Sequence, residues 1–249
     1  MIFIKNNQEI DLMRKAGKIV AETLLLVEEK VRPGITTAEL DRIAEEFITK
    51  HGAKPSFKGL YGFPASLCIS VNEQVVHGIP GGYVLKDGDI ISVDCGAHIN
   101  GFHGDAARTF GVGNISEEAK KLINVTRESF FRGIEYAKVG TRLTDISHGI
   151  QSYVEASGFS VVRDFVGHGI GRVVHEDPEV PNYGRPGRGP KLVEGMALAI
   201  EPMVNVGSYK VKTLSDDWTV VTSDGSLSAH YENTIVILPD GPEILTLII

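Results

Sequence analysis

Cysteine is scarce: Cys68 and Cys95 are the two thiols in 249 residues. That rules out a disulfide framework, and their spacing is not that of a zinc knuckle. No apolar run approaches the roughly 18 residues that a membrane-spanning helix needs, so no membrane partner is expected. The opening MIFIKNNQEI lacks a basic flank followed by a long apolar stretch, so no secretory leader is expected either. Basic charge is also short. Lys and Arg number 25 against 32 Asp and Glu, a net charge of −7, which gives no sign of the basic stripe of a nucleic-acid binder. A reducing, cytoplasmic setting fits these absences. No linker or low-complexity segment divides the chain, so a single domain is expected. Glycine, by contrast, is plentiful at 28 residues, many beside His, Asp and Asn. That pattern suggests a site built on turns.

Hydrophobic periodicity predicts four helices. Ile10, Met13, Gly17, Val20, Ala21 and Leu24 recur at helical steps and stop at Arg32-Pro33-Gly34. A second helix is capped by Thr36 or Thr37, carries Leu40, Ile43, Ala44, Phe47 and Ile48, and closes at His51-Gly52. A third should run from about Ser116 to Tyr136, and a fourth from Thr141 to Gly158. Strands are predicted over 66–71, 90–97, 102–110, 196–200, 218–222, 234–238 and 243–247, and residues 183–190 read as a surface excursion.

An internal repeat underlies this order. Shifting by 106 places Gly34 on Gly140, Leu40 on Ile146, Phe47 on Tyr153, Ile48 on Val154 and Gly52 on Gly158. Shifting by 107 places Asp87-Gly88 on Glu194-Gly195, and Asp94 on Glu201 late in the strand that follows. The chain therefore reads as two similar halves, approximately 1–112 and 113–249, each delivering a carboxylate to a shared middle.

Asn100-Gly101 is a preferred dipeptide for a type I′ hairpin turn. A turn there sets Ile99 opposite Phe102 and Gly96 opposite Asp105, so Asp94 and Asp105 become diagonal neighbours on one face. Like charges at that distance need a cation or a proton between them. Gly96, Gly104 and Ala106 read as leaving room for an ion. A solvated hairpin with surface acids is the competing reading, weakened by the apolar lead-in Ile90-Ile91 and Val93. His168 in Gly167-His168-Gly169-Ile170-Gly171, Glu201 before Pro202, and Glu232 before the strand at 234–238 supply an imidazole and two more acids. Four carboxylates with one imidazole suit a pair of divalent transition ions and not a thiolate-rich structural zinc site. His98 and His103 read as exposed residues flanking the turn; His230 reads as structural or as close to the metals, the structural reading being favoured.

Asp-x10-Asp, HGIG, IEP and YENT, together with SVNEQVVHGIP (70–80) and HEDP (175–178), resemble the methionine aminopeptidases of the short bacterial type I, over essentially the whole chain. The resemblance implies an α+β pita-bread fold: two pseudo-symmetric halves of helices packed on a curved, mainly antiparallel sheet, with metals between them. It implies removal of the initiator methionine from nascent polypeptides, near the ribosome exit, after deformylation and when the second residue is small and uncharged. It implies that Asp94 chelates one metal, that Asp105 and Glu232 bridge two, and that His168 and Glu201 complete the other. The ions would be cobalt, manganese, iron or zinc. They would ionise a shared water that attacks the scissile carbonyl, with Glu201 handling its proton. His77 would lie beside the scissile amide, and His175 would bind the substrate carbonyl. Phe63, Cys68, His77 and Trp218 would line the methionine pocket. Leu60 and Val174 stand where the family often has aromatics, which bears on the pocket's shape. Asn72, Gln74 and Ser228 would hold a monovalent cation. The expected state is a monomer.

Three competing functions remain. A prolidase or aminopeptidase P shares the ligand set but usually carries an extra N-terminal domain, whereas here the first helix begins at once. A non-catalytic binding module would have lost ligands, and all five positions are intact. A dinuclear phosphoesterase would show basic groups beside the acids, and none cluster there.

Overall fold

The computed structural model describes residues 1–247. Its first helix, α1 (Asn7–Lys30), starts where Asn6 accepts the Glu9 N–H and Glu9 returns the bond to the Asn6 N–H. α2 (Thr37–Lys50) repeats this capping box with Thr36 and Glu39. Leu40, Ala44 and Ile48 of the predicted apolar face are buried, while Ile43 and Phe47 are half-buried at its edge. α3 (Glu117–Ile134) is capped by Ser116. At α4 (Leu143–Ala156) the Asp145 carboxylate accepts the Arg142 N–H at 2.8 Å. No helix among the described residues is long and apolar enough to cross a membrane.

The strands are β1 (Lys54–Pro55), β2 (Leu67–Val71), β3 (Gln74–Val76), β4 (Ile90–Ile99), β5 (Phe102–Gly111), β6 (Ser160–Val161), β7 (Gly167–Gly169), β8 (Glu176–Val180), β9 (Ala197–Ile200), β10 (Met203–Asn205), β11 (Val211–Thr213), β12 (Val220–Thr222), β13 (Ser228–His230), β14 (Asn233–Leu238) and β15 (Gly241–Ile244). Every pairing among them is antiparallel. One sheet orders β1-β4-β2 with β5 also on β4; a five-stranded sheet orders β15-β14-β9-β7-β8; two three-stranded sheets order β13-β10-β6 and β11-β12-β3. Trp218 and Thr219, placed in a strand by the sequence, lie ahead of β12 because Asp216 holds their N–H groups in a tight turn.

Two main apolar cores result. α1 and α2 pack Val20, Leu24, Leu40 and Ile48 on Leu67, Ile69, Ile91 and Val93. α3 and α4 pack Leu122, Phe130, Ile146 and Ile150 on Leu198, Ile200, Ile235 and Ile237. The halves repeat particular bonds at the offset read in the sequence. The Gly34 N–H donates to Leu85 O and the Gly140 N–H to Leu192 O, both at 2.8 Å, and both glycines adopt φ near +92° (). Leu85 and Leu192 return the bond to Ile35 O and Thr141 O at 2.9 Å.

The β4–β5 hairpin turns at Asn100 (φ 53°) and Gly101 (φ 83°), the positive pair a type I′ turn requires. Gly96 lies opposite Asp105 and Asp94 opposite Ala107. Two expectations about this hairpin are corrected. Gly96 and Gly104 make room for neighbouring elements and not for an ion. A Cβ on Gly96 would stand 2.7 Å from Ser56 Cβ, and one on Gly104 would stand 2.8 Å from the Gly17 N of α1. His98 and His103 are half-buried and stacked on each other at 4.4 Å, with His103 Nδ1 bonded to Ser56 Oγ at 2.9 Å. Gly104→Ala is expected to destabilise the protein by roughly 1–3 kcal/mol, because backbone has to move. A lowered urea midpoint at unchanged m-value is the measurement.

Candidate metal centre

The β5 strand meets the turn between β13 and β14 through reciprocal bonds. The Glu232 N–H donates to Ala107 O at 3.0 Å and the Ala107 N–H to Glu232 O at 3.3 Å. Thr234 Oγ1 accepts the Asp105 N–H and donates to Asp105 O. These bonds join the two halves and set Glu232 against Asp105. In the five-stranded sheet, His168 on β7 lies opposite Ala199 on β9. That pairing brings Glu201, just past β9, to the same place: His168 Nε2 is 3.6 Å from Glu201 Oε1. Asp105, His168 and Glu232 each bring a ligand atom within 4.8 Å of the others. Asp94, diagonal to Asp105, and Glu201 flank that trio and line the same cavity.

The acids have been taken out of water without being paired. Asp105 and Glu232 are 3% and 2% exposed. Asp94 Oδ1, Asp105 Oδ1 and Glu232 Oε1 are the buried carboxylate oxygens among the described residues that lack any hydrogen-bond partner. Burial pushes the Asp94 carboxyl up to about 7. Burial and then the neighbouring carboxylates raise Asp105, Glu201 and Glu232 well above the ordinary range. Buried oxygens of like charge, facing one another without donors, fit a site for cations. Burial pulls the imidazoles the other way: His168 and His77 fall to about 4, and His175 is also lowered. A neutral imidazole can bind metal through one nitrogen while its other ring N–H still donates a hydrogen bond.

The cluster lies in a cavity of about 520 Å³. Phe63 and Trp218 meet edge-on at 5.0 Å in its wall, and Cys68, opposite Asp94 on β2, is buried beside them. Leu60 and Val174 pack into the same apolar cluster. His77 sits at the cavity with a left-handed backbone (φ 58°) and its ring 6.4 Å from Trp218. Its following Gly78 is required by space, since a Cβ there would stand 2.2 Å from Ile69 O. His175 meets the His168 ring edge-on at 4.5 Å.

Several wall residues escaped the sequence reading. Phe57 and Tyr61 come from the loop that also supplies Phe63, and Tyr61 (φ 51°) stacks parallel to His175 at 6.0 Å. Phe165 meets His77 edge-on at 5.5 Å. The aromatic spacing in FKGLYGF was a usable signal; nothing local marks Phe165. Of the two readings open for His230, its position fits the less favoured one: it sits 2% exposed with Nε2 3.6 Å from Glu201 Oε2. Asn72 and Ser228 do come together, through Ser228 N–H to Asn72 O at 3.0 Å. The side-chain oxygens of Asn72 and Gln74 already accept the N–H groups of Ile90 and Val71.

Comparison with known proteins bears on this geometry. The model of metallopeptidase family M24 matches residues 11–239. A methionine aminopeptidase of Clostridium perfringens is 80% identical over 248 residues, covering 100% of both chains. The crystal structure of methionine aminopeptidase from Rickettsia prowazekii superposes with a TM-score of 0.98 at 46% identity, covering 99% of this chain and 100% of that one. An Xaa-Pro dipeptidase from Bacillus anthracis superposes with a TM-score of 0.80 at 25% identity, covering 99% of this chain but 62% of that one.

Proposed function

The chain belongs to the methionine aminopeptidases of metallopeptidase family M24, and from that premise we propose how its residues divide the work. The family uses divalent metal to remove N-terminal methionine, and its α+β fold is the pita-bread fold, here read as one domain duplicated at approximately 1–112 and 113–249. We assign two divalent ions to Asp94, Asp105, His168, Glu201 and Glu232. The observation that carries this is the set of unpartnered carboxylate oxygens on Asp94, Asp105 and Glu232, buried on the wall of an aromatic-lined cavity. A monovalent cation near Asn72, Gln74 and Ser228 is kept as a separate proposal.

When bound, such ions acidify water and polarise the scissile carbonyl. The residues supply the rest. Glu201 lies at the junction of the acids and two imidazoles, placed to take the proton of an attacking water and return it to the leaving amine. His175, whose proton affinity partial desolvation lowers, donates its N–H to the oxygen of the carbonyl as negative charge develops there. His77, kept neutral by burial, would lie beside the scissile amide on the cavity wall. Phe63, Cys68, Trp218 and the newly placed Phe57, Tyr61 and Phe165 enclose a linear thioether, for which sulfur–aromatic contact is favourable. The substrate is the free N-terminal methionine of a nascent, deformylated polypeptide followed by a small residue. The setting is a cytoplasmic monomer near the ribosome exit, without nucleic-acid or membrane partners.

The test is hydrolysis of a Met-Ala-Ser peptide, its N-formylated twin and Ala-Pro-Ala, by wild type and Asp105→Asn, across a manganese titration. Expected is metal-dependent cleavage of Met-Ala-Ser alone, with the formyl peptide at least about 100-fold slower. A formyl group removes the amine's charge and lone pair and leaves buried polar groups of the site unmatched. Asp105→Asn is expected to lose most activity, an amide being a poor bridge between cations. Cleavage by chelator-treated protein at the metal-loaded rate would overturn the metal reading. Cleavage of Ala-Pro-Ala in preference would overturn the substrate.

A further inference from the structure

Residues 169–176 link β7 to β8, with His168 just before them and His175 near their end. The loop is closed where Gly169 pairs with Glu176, and the His168 and His175 rings meet at 4.5 Å. The relation between the two imidazoles therefore depends on how this loop is held.

The Glu176 carboxylate holds it. One oxygen accepts the Arg172 N–H at 2.7 Å and closes the loop on itself. The other accepts Lys5 Nζ at 2.5 Å, across 171 residues of sequence. Lys5 is anchored in turn. Its N–H donates to Gly195 O at 2.8 Å, its Nζ also donates to Phe3 O at 3.0 Å, and neighbouring Ile4 bridges Met196 at the foot of β9. The side chains of Lys5 and Glu176 are 4% and 3% exposed. Gly171 admits the pair: a Cβ there would stand 2.5 Å from Lys5 Cε and 2.7 Å from Glu176 Oε1. A buried ion pair is a costly way to stabilise a fold, since apolar residues of the same volume often do as well or better. It does fix a geometry that a greasy contact would leave free.

We propose that Lys5 and Glu176 are positioning residues, an ion-pair strut from the N-terminal segment that sets His175 against His168 for contact with the substrate carbonyl. The proposal rests on His175 having that role. Lys5→Met alone strands a buried carboxylate and costs stability, so the decisive protein is the double variant Lys5→Met, Glu176→Gln, which buries no unpaired charge. Measured as manganese-saturated protein on Met-Ala-Ser, it should keep its Tm within a few degrees. Its kcat should fall about 10- to 100-fold with KM within about twofold, the loss expected when a reacting group is misplaced by an ångström or less. In a His175→Ala background the same two substitutions should change kcat by less than about twofold, because the group they position is gone. In protein loaded with diamagnetic zinc in place of manganese, the 15N resonances of the His175 ring should move in the double variant, which reads the displacement without turnover. Wild-type kcat in His175→Ala overturns the role given to His175. A loss in His175→Ala together with wild-type kcat or an unmoved ring in the double variant overturns the strut alone, as does a loss that persists undiminished in the His175→Ala background.

Discussion

Glu201→Gln is expected to lower kcat by about two to four orders of magnitude, the range for removing a positioned general base, while leaving the fold intact. The substitution conserves shape and removes only the capacity to carry a proton as a carboxylate. Glu201 faces two neutral imidazoles, His168 Nε2 and His230 Nε2, each at 3.6 Å. An amide can still face both. Because Glu201 is also proposed as a ligand, metal affinity should fall as well, and the two effects separate by titration. At saturating manganese, a ligand defect is restored and a proton-transfer defect is not. Asp105→Asn should behave in the opposite sense, with the larger share of its loss in metal affinity, because Asp105 is proposed as a metal ligand and not as a base. In metal-free protein, Glu201→Gln should raise Tm, since it removes one of several buried acids that raise one another's proton affinity. A Glu201→Gln protein that regains wild-type kcat with added manganese would assign the residue to metal binding only.

Much of this site was legible in the sequence because its positions obey local rules. The Asn100-Gly101 turn fixes the register that makes Asp94 and Asp105 diagonal neighbours, and both φ values are positive as the turn type demands. Thr36 and Ser116 mark helix starts by side-chain chemistry alone. What was not legible depends on contacts between distant segments. The glycines at 96 and 104 looked like space for an ion; they are thin because Ser56 and α1 press on them. His230 looked structural because nothing in AHYENT shows that β13 pairs with β10, just beyond Glu201, so that its ring turns onto that carboxylate. Phe165 reaches the cavity through a turn whose direction no periodicity encodes. The Lys5–Glu176 pair spans nearly the whole chain, and a lysine beside an N-terminus ordinarily reads as a solvated charge.

Metal-free protein should lose stability as pH rises above about 7.5, and metal should abolish that loss. The direction follows from proton counts. Asp94, at about 7 when folded against an ordinary 3.8, keeps its proton over a range in which the unfolded chain has released it. Asp105, Glu201 and Glu232 are shifted the same way. A folded state that binds more protons than the unfolded one is weakened by rising pH. The histidines act oppositely. His77 and His168 fall to about 4 from 6.5, so the unfolded chain binds more protons between those values and stability rises with pH across that window. In the unfolded chain a histidine is still half protonated at about pH 6.5, so this opposing slope fades only above about pH 7.5, where the imidazoles are neutral in both states and the carboxylates act alone. Asp94 has shed most of its share by then, and the remaining loss comes from Asp105, Glu201 and Glu232, raised well above the ordinary range. Chelator-treated protein should therefore melt lower at pH 9 than at pH 7.5, each kcal/mol lost moving Tm by about 2–4 °C at this chain length. Manganese-loaded protein should show a flat or rising Tm over the same interval, because cations take the place of the protons and bind better as the ligands deprotonate. Calorimetric scans of both forms from pH 6 to 9 make the comparison. Parallel curves would mean that the buried acids are not the cation's ligands, whereas divergence confined to pH above 7.5 would tie the metal to the carboxylates and not to the imidazoles.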